Sequence, residues 1–125
     1  MTISRRQARR QALFLLYQWD LSGQQIGSQY AGDFDPWARG VAEAVAARAD
    51  ELDARITSAS EGWTADRLGT VERSALRVAV HELQTGEVRV EVAINEAVAF
   101  AKRYASEDAA RLVNGILGRI QREAA

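Results

Sequence analysis

Four arginines, Arg5, Arg6, Arg9 and Arg10, fall in the first turns of the first predicted helix, in a chain whose formal net charge is −1. Cations in a first helical turn oppose the helix dipole, so they do not stabilise this helix. Guanidinium groups bind phosphate with paired hydrogen bonds. Arg6 and Arg10 share one flank with Tyr17, whose ring could stack on an unpaired base. The pattern suits a phosphate backbone with unstacked bases, and it suits a solvated basic face that aids only solubility equally well.

Two further polar features lie in the C-terminal half. Asn95 and Lys102 are seven residues apart and share one helix face. The last predicted helix has a polar side with two interior glycines, formed by Arg111, Asn114, Gly115, Gly118 and Arg122. An interior glycine costs about 1 kcal/mol relative to alanine. The glycines therefore suggest the close approach of a ligand or another backbone, although tight packing within the bundle is the simpler explanation.

The inventory of reactive side chains indicates neither an enzyme nor a cofactor. The chain has no cysteine and one histidine, which excludes disulfides and thiolate zinc sites. We expect that histidine, His81, to be half-buried and structural. No histidine, serine or metal-ligand cluster is spaced to cooperate with Glu82, Glu96 or Asp108. No glycine loop of a phosphate-cradling type is present either.

The composition is that of one folded domain, residues 1–125, since 47% of the residues are hydrophobic and 26% are charged. No apolar run approaches the roughly 18 residues that span a bilayer. The basic N-terminus is not followed by a signal-peptide pattern. We therefore expect a cytoplasmic protein with no membrane segment.

The apolar periodicity predicts an all-α bundle of about six to seven helices and no strand. Ser4 and Gln7 fit a capping box at the start of a first helix that reaches about Leu21. Three glycines and the absence of a period predict a loop over residues 23–34.

The middle of the chain predicts one long helix, with Asp35 as its N-cap and Pro36 at its first position. Gly62 ends this helix. Residues 63–69 predict a short helical turn, and Thr70 is expected to cap the helix that follows.

The stretch before the fifth helix alternates like a strand at Val88, Val90 and Val92. An isolated strand would be unstable, so we predict a short extended segment that leads into a helix with an apolar face up to Tyr104. Ser106 is expected to cap the last helix.

Three stretches, in the right order, resemble the NusB family of transcription antitermination factors. They read RRQARRQALFLLYQW, VERSALRVAVHEL and VAINEAVAFAKRYASEDAARLVNGILGRI. Together they cover well over half of the chain. The resemblance implies an all-helical, non-enzymatic RNA-binding protein.

The resemblance also implies partners and site residues. The partners are single-stranded boxA RNA of nascent ribosomal RNA transcripts, the ribosomal protein NusE and the RNA polymerase antitermination complex. By position, the implied RNA-binding residues are Arg5, Arg6, Arg9, Arg10, Tyr17, Arg77, Lys102, Asp108 and Asn114. Glu72 is implied as a contact to NusE. A homodimer is compatible with the sequence, because periodicity does not separate such an interface from the core.

The chain departs from the family pattern at three places. EVRVEV replaces the proline that often precedes I-N-E-A, Leu112 replaces a phenylalanine before V-N-G, and Gln7 replaces an arginine of the basic run. Two alternatives stay open at this point. One is the NusB-like RNA-binding module of a ribosomal RNA methyltransferase, and the other is a helical adaptor whose arginines face an acidic protein.

Overall fold

Six α-helices form the computed structural model, which describes residues 3–28 and 33–124. They are α1 (Arg5–Ser22), α2 (Pro36–Ala47), α3 (Ala49–Ala59), α4 (Thr70–Thr85), α5 (Val90–Tyr104) and α6 (Glu107–Ala124), with a 3-10 turn at Ala65–Arg67. These two described ranges contain no strand. The prediction of an all-α bundle is confirmed.

Helix α4 lies at the centre of the bundle. Its residues 74–80 are all buried, and it contacts the other five helices. Leu16 of α1, Leu52 of α3 and Leu117 of α6 are fully buried around it, and each such leucine contributes about 1.5–3 kcal/mol through burial. This core fixes the positions of α1 and α5, which carry most of the predicted site.

The predicted capping box of α1 is confirmed. The Ser4 hydroxyl accepts from the Gln7 amide at 3.1 Å, and the Ser4 amide donates to Gln7 Oε1 at 2.9 Å. Gln7, where the basic run lacks an arginine, thus satisfies a backbone donor at the helix start. Gly23 ends α1 with a left-handed φ of 71°, and 23–28 are not helical. The rest of the predicted loop includes residues 29–32, which lie outside the described residues.

The prediction of one long second helix is wrong, because the chain leaves helical geometry at Arg48. The Asp35 cap and the Pro36 start are confirmed, with Asp35 Oδ2 accepting from the Ala38 amide at 3.0 Å. The Arg48 side chain donates to His81 Nδ1 at 2.8 Å and to Gln84, both on α4. Because the apolar period continues across this break, the sequence pattern gave no sign of it.

The helix starts after the break agree with prediction in two of three cases. Gly69, rather than Thr70, is the N-cap of α4, and no side chain caps that helix, so the Thr70 prediction is wrong. A Cβ on Gly69 would lie 2.5 Å from a Glu72 carboxylate oxygen, so alanine there would require the flexible Glu72 side chain to move. Arg89 is extended and α5 begins at Val90, as predicted. The Ser106 hydroxyl accepts from the amide three residues later at 3.0 Å, which confirms that cap.

His81 is half-buried, as expected, and its position makes stability depend on pH. Burial, then the charge of Arg48, lowers the pKa of His81 below 6.5, while Glu82 and Glu87 act in the opposite direction. The unfolded chain therefore takes up this proton first as pH falls, so stability is lost from about pH 6.5 downward.

We therefore expect the urea midpoint to fall more between about pH 7.5 and pH 5.5 in the natural protein than in a His81→Gln variant, which lacks this imidazole. An equal fall in both proteins would show that His81 contributes nothing to this dependence.

No described helix is long and apolar enough to cross a membrane. Likewise, among residues 3–28 and 33–124, no group of three or more acidic or histidine side chains could hold a metal ion.

Candidate nucleic-acid interface

An open depression of about 650 Å³ lies between α1 and α5. We call it the α1–α5 groove. Arg6 and Arg10 line it from α1, and Asn95 and Lys102 line it from α5. The pair on α1 and the pair on α5 are distant from each other in the sequence, and the fold brings them together. The groove therefore joins the two polar faces that the sequence suggested separately.

The cations of the α1–α5 groove are only weakly neutralised. The Arg6 side chain is 72% exposed, and its Nε donates to Glu96 Oε1 at 3.0 Å. Lys102 Nζ lies 3.9 Å from a Glu107 oxygen, with both side chains exposed. Arg10 is half-buried and forms no ion pair with the part of the chain that the structure describes. Exposed pairs of this kind contribute about 0–1 kcal/mol, so a phosphate could replace the carboxylates.

Three aromatic rings pack beside these cations. The Phe14 and Tyr104 ring centroids are 5.0 Å apart, and the Phe100 and Tyr104 centroids are 4.8 Å apart. Tyr104 is 36% exposed and lines the groove together with Arg103. The Arg103 Nε donates to the Tyr104 hydroxyl at 3.1 Å. Neither Arg103 nor Tyr104 was predicted as a site residue, because Tyr104 was placed on the apolar face of its helix.

Two other residues predicted on α1, Arg5 and Tyr17, do not line the groove. Arg5 is exposed, with its guanidinium carbon 4.1 Å from the centre of the Trp37 ring, and it lines a second depression of about 540 Å³. Tyr17 is half-buried and does not line the α1–α5 groove. The ring beside the groove cations is therefore Tyr104 instead of Tyr17.

Arg9 requires a correction, since its side chain is 5% exposed. It lies in a buried ion pair with Glu82 of α4, at 2.8 Å between Arg9 Nη2 and Glu82 Oε2. The Arg9 Nε donates to the same carboxylate at 3.2 Å. Arg9 lines the α1–α5 groove, but its guanidinium is buried in the pair with Glu82 and holds α1 against α4. It is therefore a structural residue and does not offer a free cation to phosphate.

Arg77 requires the same correction. It donates twice to the Asp53 carboxylate, at 2.7 Å in each bond, and once to Asp20 at 3.3 Å. Arg73 shares Asp20 at 2.6 Å. The desolvation of Arg77 is outweighed by its bonds with Asp53 and Asp20, so its pKa is raised. Arg77 is a buried cross-link between α1, α3 and α4.

The predicted residues of α4 and α6 also lie away from the α1–α5 groove. Asp108 is exposed and pairs with Arg111, and Asn114 is exposed farther along α6. Neither lines the groove. Glu72 is half-buried in the first turn of α4, next to Gly69. The structure therefore gathers only part of the predicted set into one place.

The polar side of α6 contains an open glycine, Gly115. A Cβ there would meet no atom within 4 Å, whereas one on Gly118 would lie 3.3 Å from Arg122 Nη1. Tight packing within the bundle is therefore the wrong explanation for Gly115.

Because Gly115 is helical and unobstructed, Gly115→Ala should raise the free energy of unfolding by about 1 kcal/mol. Gly40→Ala, at an equally open helical site in α2, should give a similar gain, and Gly118→Ala a smaller one. Urea unfolding measures all three. A Gly115→Ala variant less stable than the natural protein would refute the assignment of an open site.

Comparison with known proteins agrees with this architecture. Residues 6–122 match the model of the NusB family. The transcription antitermination protein NusB of Salinispora tropica is 41% identical over 128 residues, which cover 94% of each chain. That of Rubrobacter xylanophilus is 41% identical over 122 residues, covering 92% of this chain and 88% of its relative.

Solved structures give the same fold. NusB of T. maritima superposes with a TM-score of 0.86 at 30% identity, covering 98% of this chain and 94% of that one. A structure described as antitermination factors NusB and NusE in complex with dsRNA superposes with a TM-score of 0.82 at 31% identity, covering 95% and 96%. The family match extends over nearly the whole chain, and curated relatives are named as transcription antitermination proteins, a non-enzymatic role. The chain therefore belongs to the NusB family of transcription antitermination factors.

Proposed function

We propose that the α1–α5 groove binds single-stranded boxA-type RNA of nascent ribosomal RNA transcripts, and that the protein does so together with the ribosomal protein NusE. The bound pair would contribute to an antitermination complex on RNA polymerase, in the cytoplasm. The observation that carries this proposal is the convergence of Arg6, Arg10 and Lys102 in one open groove. Guanidinium and ammonium groups spaced along a groove suit successive phosphates of an RNA strand.

A related structure supports the choice of partners. The solved complex of NusB and NusE contains RNA, which there is double-stranded, and its NusB-like fold covers 95% of this chain. A single strand fits the present groove better, because Tyr104 presents a partly exposed ring that paired bases would not use. The binding experiment therefore compares single-stranded with double-stranded RNA.

A second protein is expected to contribute to binding, since the chain as a whole has a net charge of −1. Phosphate contacts supply most of the affinity of such interfaces, so the free protein should bind RNA modestly. Glu72, the residue proposed to face NusE, does not line the groove. RNA and NusE could therefore occupy the protein at the same time.

Fluorescence anisotropy of labelled RNA tests the proposal directly. Single-stranded boxA, a scrambled strand and a boxA duplex are titrated with the protein, with and without the cognate NusE. We expect NusE to strengthen binding to single-stranded boxA more than to the other two RNAs. Glu72→Gln should reduce this gain without changing binding of RNA to the protein alone.

Two other outcomes would favour a different function for the protein. Weak, unselective binding that NusE does not change would favour the protein-only adaptor, with the arginines facing an acidic partner. Selective binding of a ribosomal RNA segment other than boxA, independent of NusE, would favour the RNA-holding module of a methyltransferase.

The Glu96 carboxylate should weaken RNA binding, because it occupies the Arg6 guanidinium in the free protein at 3.0 Å. A phosphate that binds Arg6 must compete with this charge. Glu96→Gln keeps the shape of the side chain and should raise RNA affinity by about two- to fivefold, the scale of one exposed pair. The same change in an Arg6→Gln background should have little effect. A loss of affinity in Glu96→Gln would instead show that Glu96 holds Arg6 in its binding position.

A further inference from the structure

We propose that Tyr104 is the stacking platform for one unpaired base of the bound RNA. The inference rests on the proposed function and adds the residue that contacts a base. The cations of the α1–α5 groove recognise phosphate, which carries no sequence information. Recognition of an RNA sequence therefore also requires a contact to a base. Tyr104 can supply it, because its ring is partly exposed and lines the groove.

The Tyr104 ring is held in place before any ligand arrives. The Phe14 ring meets it edge-on at 78° and the Phe100 ring lies at 48°, with centroids 5.0 Å and 4.8 Å away. Phe14 belongs to α1 and Phe100 to α5, so the two walls of the groove both buttress the ring. A ring fixed in this way loses little conformational freedom when a base stacks on it.

The exposure of Tyr104 is not that of a core residue. Phe100, one turn earlier on α5, is 6% exposed, whereas Tyr104 is 36% exposed. The hydroxyl of Tyr104 is bonded by Arg103 Nε, an exposed side chain, at 3.1 Å. The ring is thus supported by apolar neighbours and open at the surface, as an aromatic stacking residue must be.

The charges near the ring favour a single strand as its ligand. The Arg103 guanidinium carbon lies 5.5 Å from the Tyr104 ring centre, and Arg10 and Lys102 line the same groove. An aromatic ring flanked by cations is the combination that binds single-stranded nucleic acid, because bases stack on the ring while cations follow the backbone. The bases of a duplex are already stacked on each other and would leave the ring unused.

The test uses the 125-residue chain with NusE and single-stranded boxA RNA in which 2-aminopurine replaces one base at a time. Stacking on tyrosine should quench 2-aminopurine at one position. Tyr104→Phe should keep this quenching, and Tyr104→Leu should remove it. Tyr104→Leu should also weaken binding by roughly five- to 100-fold, the range reported for loss of one stacked base.

The salt dependence separates stacking from phosphate binding. Tyr104→Leu should leave the slope of log affinity against log salt unchanged, because no phosphate contact is lost. Urea unfolding checks that the variant is folded. Should Tyr104→Leu be unfolded, Tyr104→Trp serves instead. It enlarges the ring and should preserve the quenched position with equal or tighter binding.

The outcomes distinguish this inference from the proposed function. If the natural protein binds boxA and folded Tyr104→Leu matches it in affinity and quenching, the stacking role is overturned and the RNA-binding function stands. Loss of the quenching in Tyr104→Trp overturns it as well. If the natural protein does not bind single-stranded RNA even with NusE, both are overturned.

Discussion

Replacing Arg9 with alanine should lower the free energy of unfolding by about 3–5 kcal/mol, the scale for removing one partner of a buried ion pair. The variant leaves the Glu82 carboxylate, which is 4% exposed, without its cation. Arg9 Nε and Nη2 both donate to that carboxylate. Among residues 3–28 and 33–124 no other hydrogen bond to the Glu82 side chain occurs, so water would have to enter the bundle.

Urea unfolding at neutral pH measures this effect, and Arg10→Ala is the matched control on the same helix turn. Since Arg10 has no ion pair within the described ranges, its loss should change stability by no more than about 0.5 kcal/mol. The double variant Arg9→Met with Glu82→Leu should recover most of the loss, since apolar residues of similar volume often replace a buried pair without cost. A loss below about 1 kcal/mol in Arg9→Ala would contradict the structural role of the pair.

The double variant Arg6→Gln with Arg10→Gln should weaken binding of boxA RNA by about 30- to 150-fold. Each charged hydrogen bond contributes about 1.5–3 kcal/mol, and the neutral bond that glutamine can still donate contributes about 0.5–1.5 kcal/mol. Both side chains line the α1–α5 groove. The slope of log affinity against log salt should become shallower by about 1.4, at about 0.7 per phosphate contact on a single strand.

A matched control removes two positive charges elsewhere. Arg39 in α2 and Arg67 in the 3-10 turn are exposed and do not line the groove. Arg39→Gln with Arg67→Gln changes the net charge equally and should alter affinity by no more than about twofold, through weak long-range attraction. Equal losses of RNA affinity in both double variants would show that binding depends only on the total charge of the protein. The groove would then not be the RNA-binding site.

The sequence predicted the helices well because their caps and periods are local. The box at Ser4 and Gln7, the start at Pro36 and the cap at Ser106 depend on residues within one helical turn. The break at Arg48 depends on hydrogen bonds to His81 and Gln84 on another helix. A local pattern contains no information about such a contact.

The site was predictable where side chains face solvent and unpredictable where they are buried. Arg6, Arg10 and Lys102 were selected by helix face, and they share one groove. Because Arg9 belongs to the same basic run of α1, it was also predicted to bind RNA. The helical spacing could have distinguished Arg9 from the exposed arginines. Arg9 is four residues before Leu13 and seven before Leu16, and both leucines are buried. A charged residue on an apolar stripe is expected to be buried with a partner.

Arg77 could not have been placed in this way. Helix α4 is buried on every side over residues 74–80, so it has no solvated face that a helical period could identify. The acids that pair with Arg77 lie on α1 and α3. Their meeting depends on the tertiary arrangement of the bundle.

Mapping the amide and arginine side-chain NMR signals of the protein during titration with single-stranded boxA RNA tests the groove assignment most directly. The largest changes should fall on residues that line the groove from α1 and α5, among them Arg6, Arg10, Asn95, Lys102 and Tyr104. Changes centred on Trp63 and the neighbouring polar side of α6, which line a different depression, would contradict the assignment and move the RNA to the opposite helices.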